Sequence, residues 1–321
     1  MLSIRACSKM IQCHAVSKDV YHKLLPKAAH AYNSTAFHQR HQHLAEEVIY
    51  LVFEDADSKV VGGIIMGKKK DALLSPYSAP FGGFTFLKVP STSLLQDCIQ
   101  ALRLFAKSQS ISIINITLPP SIYSTSHSSM IKEALTYNGF QITYTDINHS
   151  FSLNSFQHYL KKVAKGVRKN ILKGVRNPNL SFYKCISQQD CYQAYQIIQE
   201  NRKQNDYPLR LSWEALCNSS EVIPMDCFLV YYESIPIAAA IIFQVTSQIA
   251  QVIYWGDLKE YRHLYTMNYL SYQLFEYYQD KITILDIGPS SEHGIPDEGL
   301  CTFKERIGCD ATEKWTLNIL V

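Results

Sequence analysis

The sequence predicts an α/β protein with mixed sheets, built as two tandem domains, residues 1–150 and 151–321. Three observations carry that expectation. The 321 residues exceed what a single hydrophobic core usually fills. The chain is 47% apolar and 18% charged, the balance of a well-packed globular protein. The same order of elements, helix, antiparallel strands, helix, strand, helix, strand, is read in the first half and recurs in the second, without a sequence repeat.

Residues from about 10 to 45 read as helical, because Val20, Leu24, Leu25 and Ala28 recur at helical spacing before the His-rich stretch HQRHQH. His38, His41 and His43 beside Glu46 and Glu47 are metal-ligand types, but their spacing is not that of HExxH. A solvated helix or loop accounts for them, and no metal is expected. Val48–Phe53 and Val60–Met66, joined by the turn Asp55–Ser58, form a hairpin of apolar strands. In Leu73–Phe86, Gly82-Gly83 suits a strand corner and equally the close approach of a ligand. It is neither GxGxxG nor a Walker loop, so nucleotide binding gains no support.

Ser93–Ser110 is an amphipathic helix that turns Leu94, Leu95, Ile99, Leu102 and Phe105 inward. The strand Ile111–Leu118 is stopped by Pro119-Pro120, and the helix Ser129–Asn138 by Gly139, the favoured residue just past a helix end. Gln141–Ile147 returns as a strand. The second half opens with helices Ser155–Val175 and Gln188–Gln204, followed by strands Cys227–Tyr232, Ile235–Val245 and Ala250–Trp255. The long helix Tyr265–Gln279, the strand Ile282–Ile287 and a final strand near Lys314–Leu320 complete it.

Net charge is +3, and its distribution says more than its size. Residues 147–189 contain no acid, while Lys161, Lys162, Lys165, Arg168, Lys169, Lys173 and Arg176 all fall inside. A helix without acids forgoes its i,i+4 ion pairs, so this face is either simply solvated or made for an anionic partner: a tRNA backbone, a nucleotide-sugar pyrophosphate or CoA phosphates. No motif for sequence-specific nucleic-acid reading is present. The nine cysteines, Cys7 among them, form no CxxC pair, and Cys98 and Cys227 lie in apolar runs. Reduced thiols in a cytoplasmic protein are therefore expected. The start, broken by Arg5 and Lys9, lacks a signal-peptide core, and the longest apolar run, Ile235–Phe243, is too short to span a bilayer.

Most of the chemistry collects in Ile284–Gly308. A buried strand ends at Gly288-Pro289, a polar turn brings Ser290, Ser291, Glu292 and His293, and a Gly-bounded loop leads to Leu300-Cys301-Thr302-Phe303-Lys304. Hydroxyls, an imidazole and an ammonium at a strand's carboxyl end are what a transferase pocket needs to hold a polar acceptor and a carbonyl oxygen. A surface turn after a core strand has the same composition.

The order of types here resembles the C-terminal signature of the Fem-type (FemAB) and CelD-like branch of the GNAT superfamily: Asp286, Gly288 and Ser290, then Gly299, Leu300, Phe303, Lys304 and Gly308. Upstream, Lys165, Arg168, Ile171 and Lys173 fit the Lys-x-x-Arg-x-x-Ile-x-Lys helix of Fem-type proteins, with a strand at Leu180–Ile186 and a helix after it. Met267-Asn268-Tyr269-Leu270 opens the long helix, so the resemblance covers most of the second half.

The resemblance implies two tandem GNAT-like domains facing each other across a cleft. It also implies an acyl or aminoacyl transferase that joins an activated acyl group to an amine of a cell-envelope precursor or similar small acceptor. Lys304 would stabilise oxyanion charge at the reacting carbonyl and His293 would accept the proton of the attacking amine. Ser290, Ser291, Asn268, Trp255 and Phe303 would line the site, with Lys165 and Arg168 holding an anionic ligand. Ordinary GNAT acetyltransferases seat the CoA pyrophosphate on a Gly-rich loop at a helix N-terminus. The corresponding Asp257–Asn268 has no glycine after Gly256, which favours aminoacyl-tRNA over acyl-CoA as donor. A CoA-dependent N-acyltransferase and a non-catalytic binding module are the alternatives on the same fold.

Overall fold

The computed structural model describes residues 11–123 and 127–321. Arg5, Cys7 and Lys9 lie outside the described residues. The chain forms two compact units, residues up to Thr145 with Glu313–Val321, and Asp146–Thr312. Among the described residues no helix is long and apolar enough to cross a membrane.

The first unit begins with strand β1 (Gln12–Val16), helices α1 (Lys18–Leu24) and α2 (Thr35–Arg40), and strands β2 (Glu47–Glu54), β3 (Val60–Lys69), β4 (Ala72–Ser75) and β5 (Phe84–Phe86). It continues with α3 (Thr92–Ser108), β6 (Ile113–Thr117), α4 (Ser128–Tyr137) and the first residues of β7 (Gln141–Ser152). The helical expectation for residues 10 to 45 holds only for the short helices α1 and α2, and His38 and His41, expected on a solvated helix or loop, are buried. Gln12–Val16 pairs antiparallel with β2, a choice made by the available sheet edge that local spacing does not contain. The hairpin β2–β3 forms as its continuous apolar runs lead one to expect, and with Leu51, Val52 and Phe53 all fully buried both faces of β2 are covered.

Helix α3 is capped by Ser91, whose hydroxyl accepts from Leu94 N, and buries Leu95, Cys98, Ile99 and Leu102 against the sheet. Gly139 follows α4 at φ +89, a left-handed conformation that glycine adopts without a Cβ penalty. Gly83, at φ +102, donates its N–H to Ser75 Oγ, and Gly82 lines a cavity of about 390 Å³ with His30, Phe84 and Tyr123.

The second unit holds the end of β7, α5 (Tyr159–Lys162), α6 (Lys165–Val175), β8 (Leu180–Lys184), α7 (Gln188–Gln204) and α8 (Trp213–Ser220). Strands β9 (Met225–Tyr232), β10 (Ile235–Gln244) and β11 (Ile249–Asp257) lead to α9 (Thr266–Tyr278) and β12 (Ile284–Pro289). The short pair β13 (Ser291–Glu292) and β14 (Ile295–Pro296) precedes α10 (Glu298–Arg306) and β15 (Asp310–Leu320). The sheet order is β7-β12-β11-β10-β9-β8, with β11 and β12 parallel. Its core joins Phe228, Ala240, Leu270, Leu274 and Leu285, with Phe151 stacked on Phe275 at 3.8 Å between ring centroids.

Three expectations change in this half. The helix foreseen over Ser155–Val175 is interrupted where Val163 and Ala164 take extended ψ values of 146 and 140, leaving Lys161 and Lys162 on α5 and the other bases from Lys165 onward. Leu300–Lys304, which a loop was expected to reach and to which no element was assigned, lies inside α10, which Asp297 caps by accepting from Leu300 N. The final strand, placed with the second half, pairs from Thr316 to Leu320 with β6, and its Trp315, Leu317 and Ile319 enter the first unit's core.

Candidate active site

Strand β12 carries its apolar residues into the second core and delivers one acid, Asp286, which is wholly buried. A buried carboxylate must have its lone pairs occupied. Asn148 Nδ2 and Gln251 Nε2 each donate to it at 2.8 Å, and Gly288 N donates at 2.9 Å. These bonds bend the chain at Gly288, whose φ of +79 admits glycine and penalises other residues.

The bend exposes two carbonyls to α10. Lys304 Nζ donates to Gly288 O and to Pro289 O, both at 2.9 Å, and the side chain is 2% exposed. Burial, the largest influence, pushes the ammonium down to about 8; Cys309, Asp286 and Cys301 oppose the shift, and Arg202 adds to it. Phe303, one residue earlier, meets Trp255 edge to face at 6.0 Å. Cys301 Sγ lies 3.5 Å from Ser290 O.

The polar turn is tied to β7. Ser290 Oγ lies 2.8 Å from His149 Nδ1, Ser291 Oγ donates to Asp146 Oδ1 at 2.9 Å, and Ile147 N donates to Ser291 Oγ at 2.7 Å. Ser290 is 1% exposed. His293 sits instead at the tip between β13 and β14, at φ +52, exposed, with Nε2 3.9 Å from Glu292 Oε1.

A second cation stands near Lys304. Arg202, near the end of α7, is held between the rings of Tyr207 and Tyr254, at 5.7 and 5.3 Å, and its Nε is buried without a hydrogen-bond partner. Burial lowers its proton affinity, against the pull of the two tyrosines. Tyr207 donates to Asp297 Oδ2 at 3.1 Å, and Arg210 pairs with Glu292, so the segment after α7 is fastened to the start of α10 and to the β13–β14 tip. The carboxamide of Asn201 fills the space beside Gly256, where a Cβ would come within 2.4 Å of it. Its Nδ2 donates to Asp257 O at 2.7 Å.

The structure thus brings Ser290, Phe303, Lys304 and Trp255 into one neighbourhood and holds Ser291 in the same turn. Asn268 is half-buried in the first turn of α9, its N–H bonded to Tyr265 O at 3.0 Å. Lys165 is exposed and Arg168 half-buried on α6. Among the described residues no hydrogen bond or ion pair joins either to the β12–α10 group. Asp146, Asn148, His149, Arg202 and Tyr207 were not singled out from the sequence. Signals for the first three were weak, because Asp146 lies near the end of the strand read as Gln141–Ile147 and Asn148 and His149 fall beyond it, where β7 continues to Ser152. Arg202 and Tyr207 lie in no recognisable motif.

No family model and no curated protein matches the chain. Solved structures do. FemX superposes with a TM-score of 0.69 over 97% of both chains at 11% identity. The fold is that of a tandem GNAT protein of the Fem type. A tandem GNAT protein from the clavulanic acid biosynthesis pathway matches with a TM-score of 0.52 at 8% identity, over 97% of this chain and 98% of its own. The C-terminal domain of a putative lysylphosphatidylglycerol synthetase from Agrobacterium fabrum gives 0.56 at 10% identity, over 94% and 92%. On this tandem GNAT fold, Lys304 and its two carbonyl partners lie at the carboxyl end of β12, where open α/β sheets commonly place ligands.

Proposed function

We infer that the protein is an acyl or aminoacyl transferase that joins an activated acyl group to an amine of a cell-envelope precursor or similar small acceptor. The observation that carries this reading is the seating of Lys304. An ammonium has three N–H donors, and two are taken by Gly288 O and Pro289 O. The two bonds fix the direction of the third, so that it can meet a carbonyl oxygen as negative charge develops on it. Desolvation strengthens that interaction relative to water. Arg202, cationic and close enough to depress Lys304, supplies a second positive group for an anionic part of donor or acceptor.

Aminoacyl-tRNA is the favoured donor. In place of a Gly-rich cradle, Lys259–Leu264 forms a 3-10 turn, and Tyr265 occupies the left-handed region at φ +58 before α9. The N–H groups of Tyr261, Tyr265, Asn268 and Tyr269 are bonded within this segment. Those four amides are engaged and add nothing to a pyrophosphate cradle. The basic face of α6 is the surface we assign to a tRNA-like or other polyanionic ligand.

The test is transfer of a labelled aminoacyl group from aminoacyl-tRNA, run beside labelled acetyl-CoA, to amine-bearing envelope precursors. Transfer from aminoacyl-tRNA alone is expected. Calorimetry that gave acetyl-CoA a micromolar dissociation constant, about −8 kcal/mol, with transfer from it, would replace this reading by a CoA-dependent N-acyltransferase.

A further inference from the structure

Behind the polar turn stands a line of three groups. His149 lies opposite Gly288 in the β7–β12 register, and its side chain is wholly buried. Its Nδ1 is 2.8 Å from Ser290 Oγ. Its Nε2 has no hydrogen-bond partner and faces Glu305 Oε1 at 3.9 Å. Glu305 follows Lys304 directly on α10 and lines a cavity of about 360 Å³ with Phe151, Tyr159, Lys162 and Arg306. Ser290 is 1% exposed, and its contact with His149 holds the hydroxyl within the turn.

The proton on the ring follows from its neighbours. A carboxylate is an acceptor only, so the nitrogen facing Glu305 carries the hydrogen, and Nδ1 accepts from the Ser290 hydroxyl. Ser290 directly follows the two carbonyls that hold Lys304.

We propose that His149 is a positioning residue for Lys304: oriented by Glu305, it locks the Gly288–Ser290 turn whose carbonyls seat the ammonium. The proposal rests on the reading of Lys304 as catalytic.

The groups facing the imidazole are Ser290 from the β12 turn and Lys304 and Glu305 from α10. Burial first, and the Lys304 charge second, hold His149 below the usual imidazole range, while Glu305 works against both. Protonation would place a hydrogen on Nδ1, reverse the bond so that the Ser290 hydroxyl accepts, and set a further cation beside Lys304. The like-charge repulsion loosens the turn in acid.

Nitrogen-15 NMR of the histidine rings in the substrate-free protein should show His149 as the Nε2–H tautomer. Lys304→Met should raise its titration midpoint by removing a like charge, and Glu305→Gln should lower it. In a turnover assay the acid limb of kcat/KM should move to lower pH in Glu305→Gln. His149→Ala should lose about a hundredfold in turnover through misplacement of the ammonium. His149→Asn, whose Oδ1 can stand where Nδ1 stood, should recover at least a tenth of the parental rate. An Nδ1–H tautomer, or a midpoint indifferent to both α10 substitutions, overturns the proposal without any substrate. An active transferase whose pH profile is the same in the parent and in both His149→Asn and Glu305→Gln also overturns it. Ring couplings as expected in a protein that transfers no acyl group would sink the transferase reading and leave the link between His149 and Lys304 standing.

Discussion

Lys304 Nζ and the carbonyl oxygen of Gly288 lie 2.9 Å apart across sixteen residues of chain, and this bond joins α10 to the end of β12. It fixes a buried ammonium against backbone dipoles that cannot move away without breaking the bonds to Asp286.

Replacing Lys304 by Met keeps its bulk and removes the charge, and turnover should fall on the order of 10²–10³. The parent should also lose activity as pH rises through about 8, where the ammonium gives up its proton. Stability runs the other way. The folded-state value lies below the ordinary 10.5, so this group's contribution is full above that value and is lost as pH falls through about 8. The cost of burying the charge is on the order of 3 kcal/mol. Denaturant titrations at pH 7 and pH 10 should show Lys304→Met losing that pH-dependent component. Near-parental turnover in a folded Lys304→Met protein would make the Phe303-Lys304 pair structural.

Arg202 should bind an anion more than it supports the fold. Arg202→Met should weaken inorganic pyrophosphate by about 10- to 100-fold, the range of a charge-assisted hydrogen bond. Arg202→Lys should restore little, because an ammonium lacks the flat face that Tyr207 and Tyr254 enclose. Calorimetry at low salt checks both, and equal affinities in all three proteins would reduce Arg202 to a packing group.

The basic face of α6 is expected to serve a polyanion. Lys165→Glu with Arg168→Glu should leave the melting temperature within a few degrees, since Lys165 is exposed and Arg168 half-buried. Uncharged tRNA should bind more weakly, and its residual binding should fall less steeply with salt. Parental affinity at low salt would return this face to plain solvation.

The first unit should be sensitive to acid. Burial pushes His30 down to about 4, and burial with the neighbouring His41 and His30 pushes His38 to about 3. An unfolded chain binds these protons near 6.5, so the contribution is full above that pH and is lost progressively as pH falls toward 4. For His30 alone the loss is on the order of 3 kcal/mol. His38→Phe should flatten part of that slope and stabilise at every pH, because both ring nitrogens of His38 are buried without partners. Unfolding free energies at pH 7.5, 6 and 4.5 decide it, and parallel curves for parent and variant would contradict it.

Local order was legible in the sequence wherever one periodicity dominated. The spacing of Leu95, Ile99 and Leu102 determined α3, and the apolar runs from Cys227 to Trp255 determined β9 to β11, because burial of one face follows from where apolar residues recur. The spacing from Gly299 to Lys304 marked Lys304 by resemblance, although the helix that carries it was not foreseen. The tertiary structure decided which distant groups meet. His149 and Ser290 are 141 residues apart, and Asn148 and Asp286 are 138 apart. Gln12–Val16 became a strand because β2 offered it an edge, and the helix foreseen through Val163 broke where that residue and Ala164 extend. Strand register and buried hydrogen bonds are set by satisfying backbone and side-chain partners across the whole sheet. Spacing along the chain records the period of a segment and is silent on its partner.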